Sequence, residues 1–532
     1  MLLIFIIYIL FYIIDQSIFK KFERGNFNMQ KKINTAFLGH PKPLFSLSMI
    51  ELWERFSFYG IRPLLVLFMS AAINLGGLGM ERESASAIVG IFAGCLYLAA
   101  LPGGWLADNY LGQKKAIFLG SILIALGHLS IALSIFNSLM FFIGLGFIVV
   151  GTGLFKTCAS VMVGMLYKNN DPRRDSGFTI FYMGINLGAF FAPLICGFLQ
   201  KEYGWHLGFG TGGLGMLLAV IIFYFKTIPD LKEYNQEVGL EHNWEKLINE
   251  NKNIGLIFLA CLGVIATIII LSYFNLIDLS PVSLSKKMIF VILTCTGIYF
   301  LYLFFFSSLS KSEKKNLVVF VILFFMAAFF WSFYEQQPTS FNLFAEDFTD
   351  RVLFGWEIPT PWFQSLTSIF VIVFAPVMSF VWIFLQKHNL ELSSISKFAL
   401  GILGAGICFM IMMFAAKNVL NTQGGSVSML WLVASMWFLT LGELCLSPVG
   451  LSIMTQIAPN LIKSQVMGLW FVAGALGNVV AGLVGGHVDA KNIDSLPDLF
   501  GQCMWFLFIM AIILFLIRKP IYKMVQNEKG KK

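Results

Sequence analysis

Charge is scarce in this chain: Asp, Glu, Lys and Arg make up 12% of its 532 residues, where a soluble domain carries about 25%. So little polar surface cannot keep so long a chain in water, and with 58% hydrophobic residues disorder is excluded as well. Histidine is also sparse, and the six are scattered without ligand spacing. The eight cysteines (Cys95, Cys158, Cys196, Cys261, Cys295, Cys408, Cys445 and Cys503) all lie inside apolar stretches and read as small packing residues. No metal or other cofactor is expected. What abounds is apolar and aromatic, with 56 Phe, 12 Trp and a mean hydropathy of +0.78. That is the composition of a polytopic membrane protein.

A hydrocarbon core about 30 Å thick needs about 20 apolar residues per helix. Candidate spans lie near 44–72, 84–107, 115–136, 139–167, 175–199 and 207–226, then 254–276 and 287–309. After the charged run Lys311-Ser312-Glu313-Lys314-Lys315 come 316–344, 360–386, 396–416, 429–458, 463–487 and 498–518. Fourteen spans are expected, grouped six, two and six. Leu2–Ile14 is too short for an ordinary span, and no small-residue cleavage site follows it. Residues 1–28 read as an upstream extension ahead of Met29. With the N-terminus inside, 27 of the 37 Lys and Arg fall on the inner side and 7 on the outer. This bias places both termini in the cytoplasm and accounts for the net charge of +8 without any nucleic acid.

Two sets of six helices around a long connection suggest two facing bundles with a site between them. The expected divisions are 1–38 (extension and cytoplasmic lead), 39–226 (first bundle), 227–315 (linker with two extra helices), 316–519 (second bundle) and 520–532 (tail). The loop Gly104-Trp105-Leu106-Ala107-Asp108-Asn109-Tyr110-Leu111-Gly112-Gln113-Lys114-Lys115 resembles the cytoplasmic loop signature of the major facilitator superfamily. The expected fold is therefore all-α: two six-helix bundles of the major facilitator type plus two central helices.

Ionisable groups at mid-bilayer cost about 2.5–3.5 kcal/mol each on insertion scales, so they usually line a wet cavity. The first span carries Glu51, Glu54, Arg55 and Arg62; the others are Lys156, Glu335 and Glu443. At about 100° per residue, the four on the first span fall on one arc of about 100°, with Tyr59 beside it. Such a stripe cannot face lipid. Ion pairs that merely lock helices together would account for Glu54 and Arg55, but not for charges spread over four helices. From a rise of about 1.5 Å per residue, Arg62 and Glu335 both stand about 27–29 Å above the inner ends of their helices, one in each bundle. Glu51, Glu54, Lys156 and Glu443 lie deeper. Carboxylates on one side and Arg/Lys on the other suit a zwitterionic solute.

These residues also carry a family resemblance. Glu51-Leu52-Trp53-Glu54-Arg55-Phe56-Ser57-Phe58-Tyr59-Gly60 resembles the ExxERFxYY motif of proton-dependent oligopeptide transporters. Gly153-Leu154-Phe155-Lys156 and the run from Arg173 to Gly188 resemble that family's fourth and fifth helices. Phe330-Trp331-Ser332-Phe333-Tyr334-Glu335-Gln336 and Leu441-Gly442-Glu443-Leu444-Cys445-Leu446-Ser447-Pro448 resemble its seventh and tenth. The similarity runs from about Gly39 to the end, and the extra helix pair is typical of bacterial members.

The resemblance implies a non-enzymatic symporter that imports di- and tripeptides with protons across the bacterial inner membrane, working as a monomer in lipid. It implies that Arg62 and Lys156 hold the peptide carboxylate and that Asn186 and Glu443 hold the amino group. It makes Glu335 the principal proton site, with Glu51, Glu54 and Arg55 coupling protonation to binding. Tyr59, Tyr97, Trp331 and Trp470 would line side-chain pockets. Two positions depart from the family pattern: Phe58 replaces a tyrosine, and Thr367 stands in the pocket where members commonly carry asparagine. A nitrate-type symporter is the runner-up, and the intact Glu51/Glu54/Arg55 motif with Lys156 and Glu443 argues against it. A membrane-embedded enzyme would need a metal-binding carboxylate cluster or a catalytic His pair, and an uncoupled channel would have little use for carboxylates set against Arg and Lys.

Overall fold

A computed structural model of the chain describes residues 33–526 apart from 169–170, most of 239–276, 391 and 490–491. The extension 1–28, Cys261 and nearly all of the expected span 254–276 lie outside the described residues. The first six long helices are α1 (Pro43–Ser70), α2 (Arg82–Leu106), α3 (Gln113–Ala132), α4 (Leu139–Met165), α5 (Arg174–Tyr203) and α6 (Trp205–Ile222). A short α7 (Ile228–Val238) continues from α6 through a π-type turn, so the division expected at 226 falls inside one continuous helix. Next come α8 (Pro281–Phe305), α9 (Lys311–Tyr334), α10 (Asn342–Phe348) and α11 (Gln364–Lys387). The last four are α12 (Ser394–Asn421), α13 (Leu430–Ile457), α14 (Val466–Gly485) and α15 (Leu496–Gln526).

Twelve of these helical stretches are long and apolar enough to cross a membrane. Helix α1 is as long, at 28 residues, and its four charged side chains are what lower its hydropathy. The chain is an integral membrane protein.

Local sequence explains where the helices begin and stop. Pro43 and Pro281 occupy first-turn positions of α1 and α8, where a missing N–H costs nothing. Helix α9 starts in a capping box: the Ser310 hydroxyl accepts from Glu313 N at 3.2 Å, and Glu313 Oε2 accepts from Ser310 N at 3.0 Å. The expected span 316–344 lies within one membrane-spanning stretch, Lys311–Phe348, which is interrupted part-way. Helix α9 stops at Tyr334, and a π-type turn (Gln337–Phe341) leads into α10. Pro338 is the cause, because it cannot donate to the Tyr334 carbonyl four residues back; the Gln337 side-chain amide donates to that carbonyl instead, at 3.1 Å. At the other end of the first bundle, Arg173 donates to the carbonyls of Asn34 and Gly39 at 3.0 and 3.1 Å and anchors the leading segment. Its hydrogen bond to Asp171 holds that carboxyl below the usual carboxylate range.

Helices α1–α6 pack among themselves, as do α9 and α11–α15, while α8 lies in the seam against α2 and α14. Small residues let the backbones approach. On the α3–α4 seam a Cβ at Gly127 would lie 2.7 Å from the Gly144 carbonyl oxygen. We expect Gly127→Val to cost about 1–3 kcal/mol of stability through overpacking. Thermal melts in detergent should register the loss, whereas Gly146→Ala, where a Cβ would meet nothing within 4 Å, should melt as the parent does.

The bundles meet most closely at the end bearing the α1–α2 loop. There Arg82 Nη2 bonds Asp347 Oδ1 at 3.0 Å, and Lys201 pairs with Glu357 at 3.2 Å. Asn342 donates to the Pro63 carbonyl at 2.6 Å, Trp362 Nε1 to the Leu194 carbonyl at 2.9 Å and Ser365 to the Phe190 carbonyl at 2.8 Å. A Cβ at Gly90 would come within 2.8 Å of Gly482 Cα across the seam. Toward the opposite end Tyr182 and Met183 of α5 and Met467 of α14 are exposed.

Candidate functional site

Behind that closed end the seam encloses a cavity of about 230 Å³. The first bundle supplies Arg55, Phe58, Tyr59 and Arg62 from α1, Tyr97 from α2, Lys156 from α4 and Asn186 from α5. The second supplies Trp331 and Tyr334 from α9, Glu335 at the C-terminal cap of α9, Thr367 from α11 and Glu443 from α13. Four carboxylates and three cations thus sit in or directly against one cavity inside the membrane-spanning helices.

The charges are organised in groups. On α1 the buried Arg55 Nε lies 3.0 Å from Glu51 Oε1 and 2.7 Å from Glu54 Oε2. Both carboxylates are buried behind Arg55 rather than lining the cavity. Arg62 donates from Nη2 to Glu335 Oε2, an ion pair that joins the two bundles at the closed end. The equal depths expected for these two residues are realised as direct contact.

Lys156 takes a different partner. Its Nζ stands 3.9 Å from the centre of the Tyr97 ring and 5.3 Å from that of Phe471, which holds an ammonium by cation–π attraction while leaving its N–H donors for an anion. Glu443 accepts a hydrogen bond at 2.6 Å from the Tyr334 hydroxyl. Thr367 donates to the Gln337 side-chain oxygen at 2.6 Å, and Asn186 Nδ2 donates to the Tyr182 carbonyl at 3.0 Å. The Trp331 indole N–H is buried without a hydrogen-bond partner among the described residues.

Of the residues singled out in the sequence, Trp470 is not brought to the cavity wall. It packs edge-on against Trp331, with ring centres 6.4 Å apart, and over Gly450. Reading the sequence missed Tyr334, Tyr182, Gln337, Gln364 and Asn478, all on the wall. Tyr334 had a visible signal, since it directly precedes Glu335 in the helix motif. Asn478 and Gln364 sit in apolar helices with nothing nearby to mark them.

Two membrane-spanning helix bundles closed over a cavity lined by ions of both signs define a secondary transporter of the major facilitator type. The sequence profile of the POT family matches residues 114–506. The chain belongs to the POT family. It is 55% identical over 507 residues to the peptide transporter YePEPT of Yersinia enterocolitica, covering 94% of this chain and 99% of the relative. It is 34% identical to a di-/tripeptide transporter of Lactococcus lactis, covering 93% and 98%. A crystal structure of the peptide transporter POT in complex with sulfate superposes with a TM-score of 0.84 at 34% identity, covering 93% of this chain and 99% of that one. A POT family transporter in complex with 5-aminolevulinic acid matches with a TM-score of 0.81 at 28% identity, covering 92% and 100%.

Proposed function

We propose that the protein is a proton-coupled symporter importing di- and tripeptides across the bacterial inner membrane by alternating access, as a monomer with both termini in the cytoplasm. The carrying observation is the placement of Lys156 and Arg62 on one bundle and Glu443 on the other, around one cavity. A peptide of given length is a zwitterion whose terminal charges do not depend on its side chains, so cations at one side and a carboxylate at the other recognise every sequence of that length alike. The names of the Yersinia and Lactococcus relatives support the same substrate class.

In this assignment Arg62 and Lys156 hold the carboxylate, and Asn186 and Glu443 hold the amino group. Tyr59, Tyr97, Trp331 and Thr367 contact side chains, where aromatic faces accept many shapes. Glu335 exchanges between a proton and Arg62, and Glu51, Glu54 and Arg55 relay charge changes to Lys156. The bias of basic residues makes the end carrying Arg82 and Asp347 the outer one, so the described state faces inward. The two bundles open at residues 39 and 316, with α7 carrying the last helix of the first bundle past residue 226.

The test is uptake into proteoliposomes under an imposed proton gradient, with dipeptides, tripeptides and nitrate as substrates. Acid outside should stimulate peptide uptake. Peptides acetylated at the amino end should compete at least tenfold less well, because they offer Glu443 no charge; equal competition would reverse the proposed orientation.

A further inference from the structure

We infer that Tyr334 is a positioning residue for peptide recognition, whose hydroxyl holds one oxygen of Glu443 so that the other is presented to the substrate ammonium. The inference rests on the peptide reading of the same cavity and adds to it a group that carries no charge.

The contact is specific. An ionised carboxylate can only accept, so the Tyr334 hydroxyl is the donor to Glu443 Oε2, and 2.6 Å is the length of a charge-assisted O–H···O bond. It is the one hydrogen bond recorded for that carboxylate among the described residues. The donor itself is held on two sides. Its ring stacks on Phe330 at 5.7 Å and meets Trp331 edge-on at 5.3 Å, so two faces of it are packed. Its carbonyl, released from the helix ladder by Pro338, accepts from the Gln337 amide at 3.1 Å. The Gln337 side-chain oxygen in turn accepts from Thr367 on α11 at 2.6 Å, and its backbone carbonyl accepts from Gln364 at 2.7 Å.

A carboxylate free to rotate must be ordered when an ammonium arrives, and that ordering opposes binding. Tyr334 removes the cost by fixing Oε2 beforehand from a rigid part of the helix break, which is the usual way a second layer of groups sharpens a binding site.

The experiment compares Tyr334→Phe with the parent in lipid nanodiscs, measuring affinity for Ala-Ala and for N-acetyl-Ala-Ala. Phenylalanine keeps the ring packing and deletes only the hydroxyl. The bond is present with or without peptide, so its loss is felt only as the rotational freedom that Glu443 regains, and affinity for Ala-Ala should fall about two- to tenfold. Affinity for the acetylated peptide should stay as it was, as should the saturating rate of counterflow. In a Glu443→Gln background the same substitution should have no further effect on Ala-Ala. Equal loss for both peptides, no loss for either, or an undiminished loss without Glu443 would each overturn the role of Tyr334. If the parent itself binds both peptides alike, the Glu443 assignment fails and this one with it. If the parent prefers the free amino end and Tyr334→Phe keeps that preference in full, only the tyrosine's role fails.

Discussion

Glu335→Gln is expected to keep peptide exchange across the membrane and to lose accumulation against a gradient altogether. In the described state Glu335 and Arg62 are joined across the seam at its closed end, the outer one in the proposed orientation. Opening that end must part the bundles there, and Arg62 then withdraws from the carboxylate. A buried carboxylate without its cation is costly, and a proton from outside relieves the cost. Proton and Arg62 thus compete for one group, and a ligand that binds one of two states better shifts the equilibrium between them. Glutamine preserves the shape and a hydrogen bond but cannot alternate between charged and neutral. Proteoliposomes loaded with unlabelled peptide should still draw in labelled peptide by counterflow, while an imposed proton gradient alone should concentrate none. Proton-driven accumulation at the parent's rate would move the proton site to Glu51 or Glu54.

Lys156→Ala should abolish gradient-driven uptake and lower peptide affinity by about two orders of magnitude. The ammonium sits over Tyr97 and Phe471 and makes no ion pair among the described residues, so it can bond a peptide carboxylate at little reorganisation cost. A charge-assisted bond of that kind is worth about 1.5–3 kcal/mol, and an uncompensated charge left in a buried site costs more again. Lys156→Arg keeps the charge but replaces a compact ammonium by a planar fork that does not fit the same seat; it should restore little. Binding curves and uptake in the same vesicles separate lost affinity from lost coupling. Parent-like accumulation by Lys156→Ala would end its assignment to the peptide carboxylate.

Much of this arrangement is legible in the sequence. The stripe of Glu51, Glu54, Arg55 and Arg62 follows from helical periodicity alone, and the common level of Arg62 and Glu335 follows from the rise per residue. Both quantities belong to single helices, so one dimension suffices. What could not be read is how far each helix is turned about its own axis. That rotation decides that Lys156 meets Tyr97 rather than a carboxylate, that Tyr334 reaches Glu443, and that Trp470 stands behind Trp331. The interruption of α9 was hidden for another reason. Pro338 was visible, but hydropathy stays high across 316–344, and only the competition for the Tyr334 carbonyl shows why the helix stops where it does.

The tally of charges in and behind the cavity bears on membrane voltage. Glu51, Glu54, Glu335 and Glu443 face Arg55, Arg62 and Lys156, so with every group ionised the empty carrier bears one net negative charge in the membrane. One proton cancels it, and a zwitterionic peptide adds nothing. On the proposed coupling, a carrier loaded with one proton and a peptide would be neutral at this site and would cross between its two states without sensing the potential. The empty carrier does sense it, at about 2.3 kcal/mol per charge for each 100 mV traversed. In the proposed orientation an interior-negative membrane would push that anionic site outward, so the electrical half of the driving force would act on the return of the unloaded protein and leave the inward step to the chemical gradients.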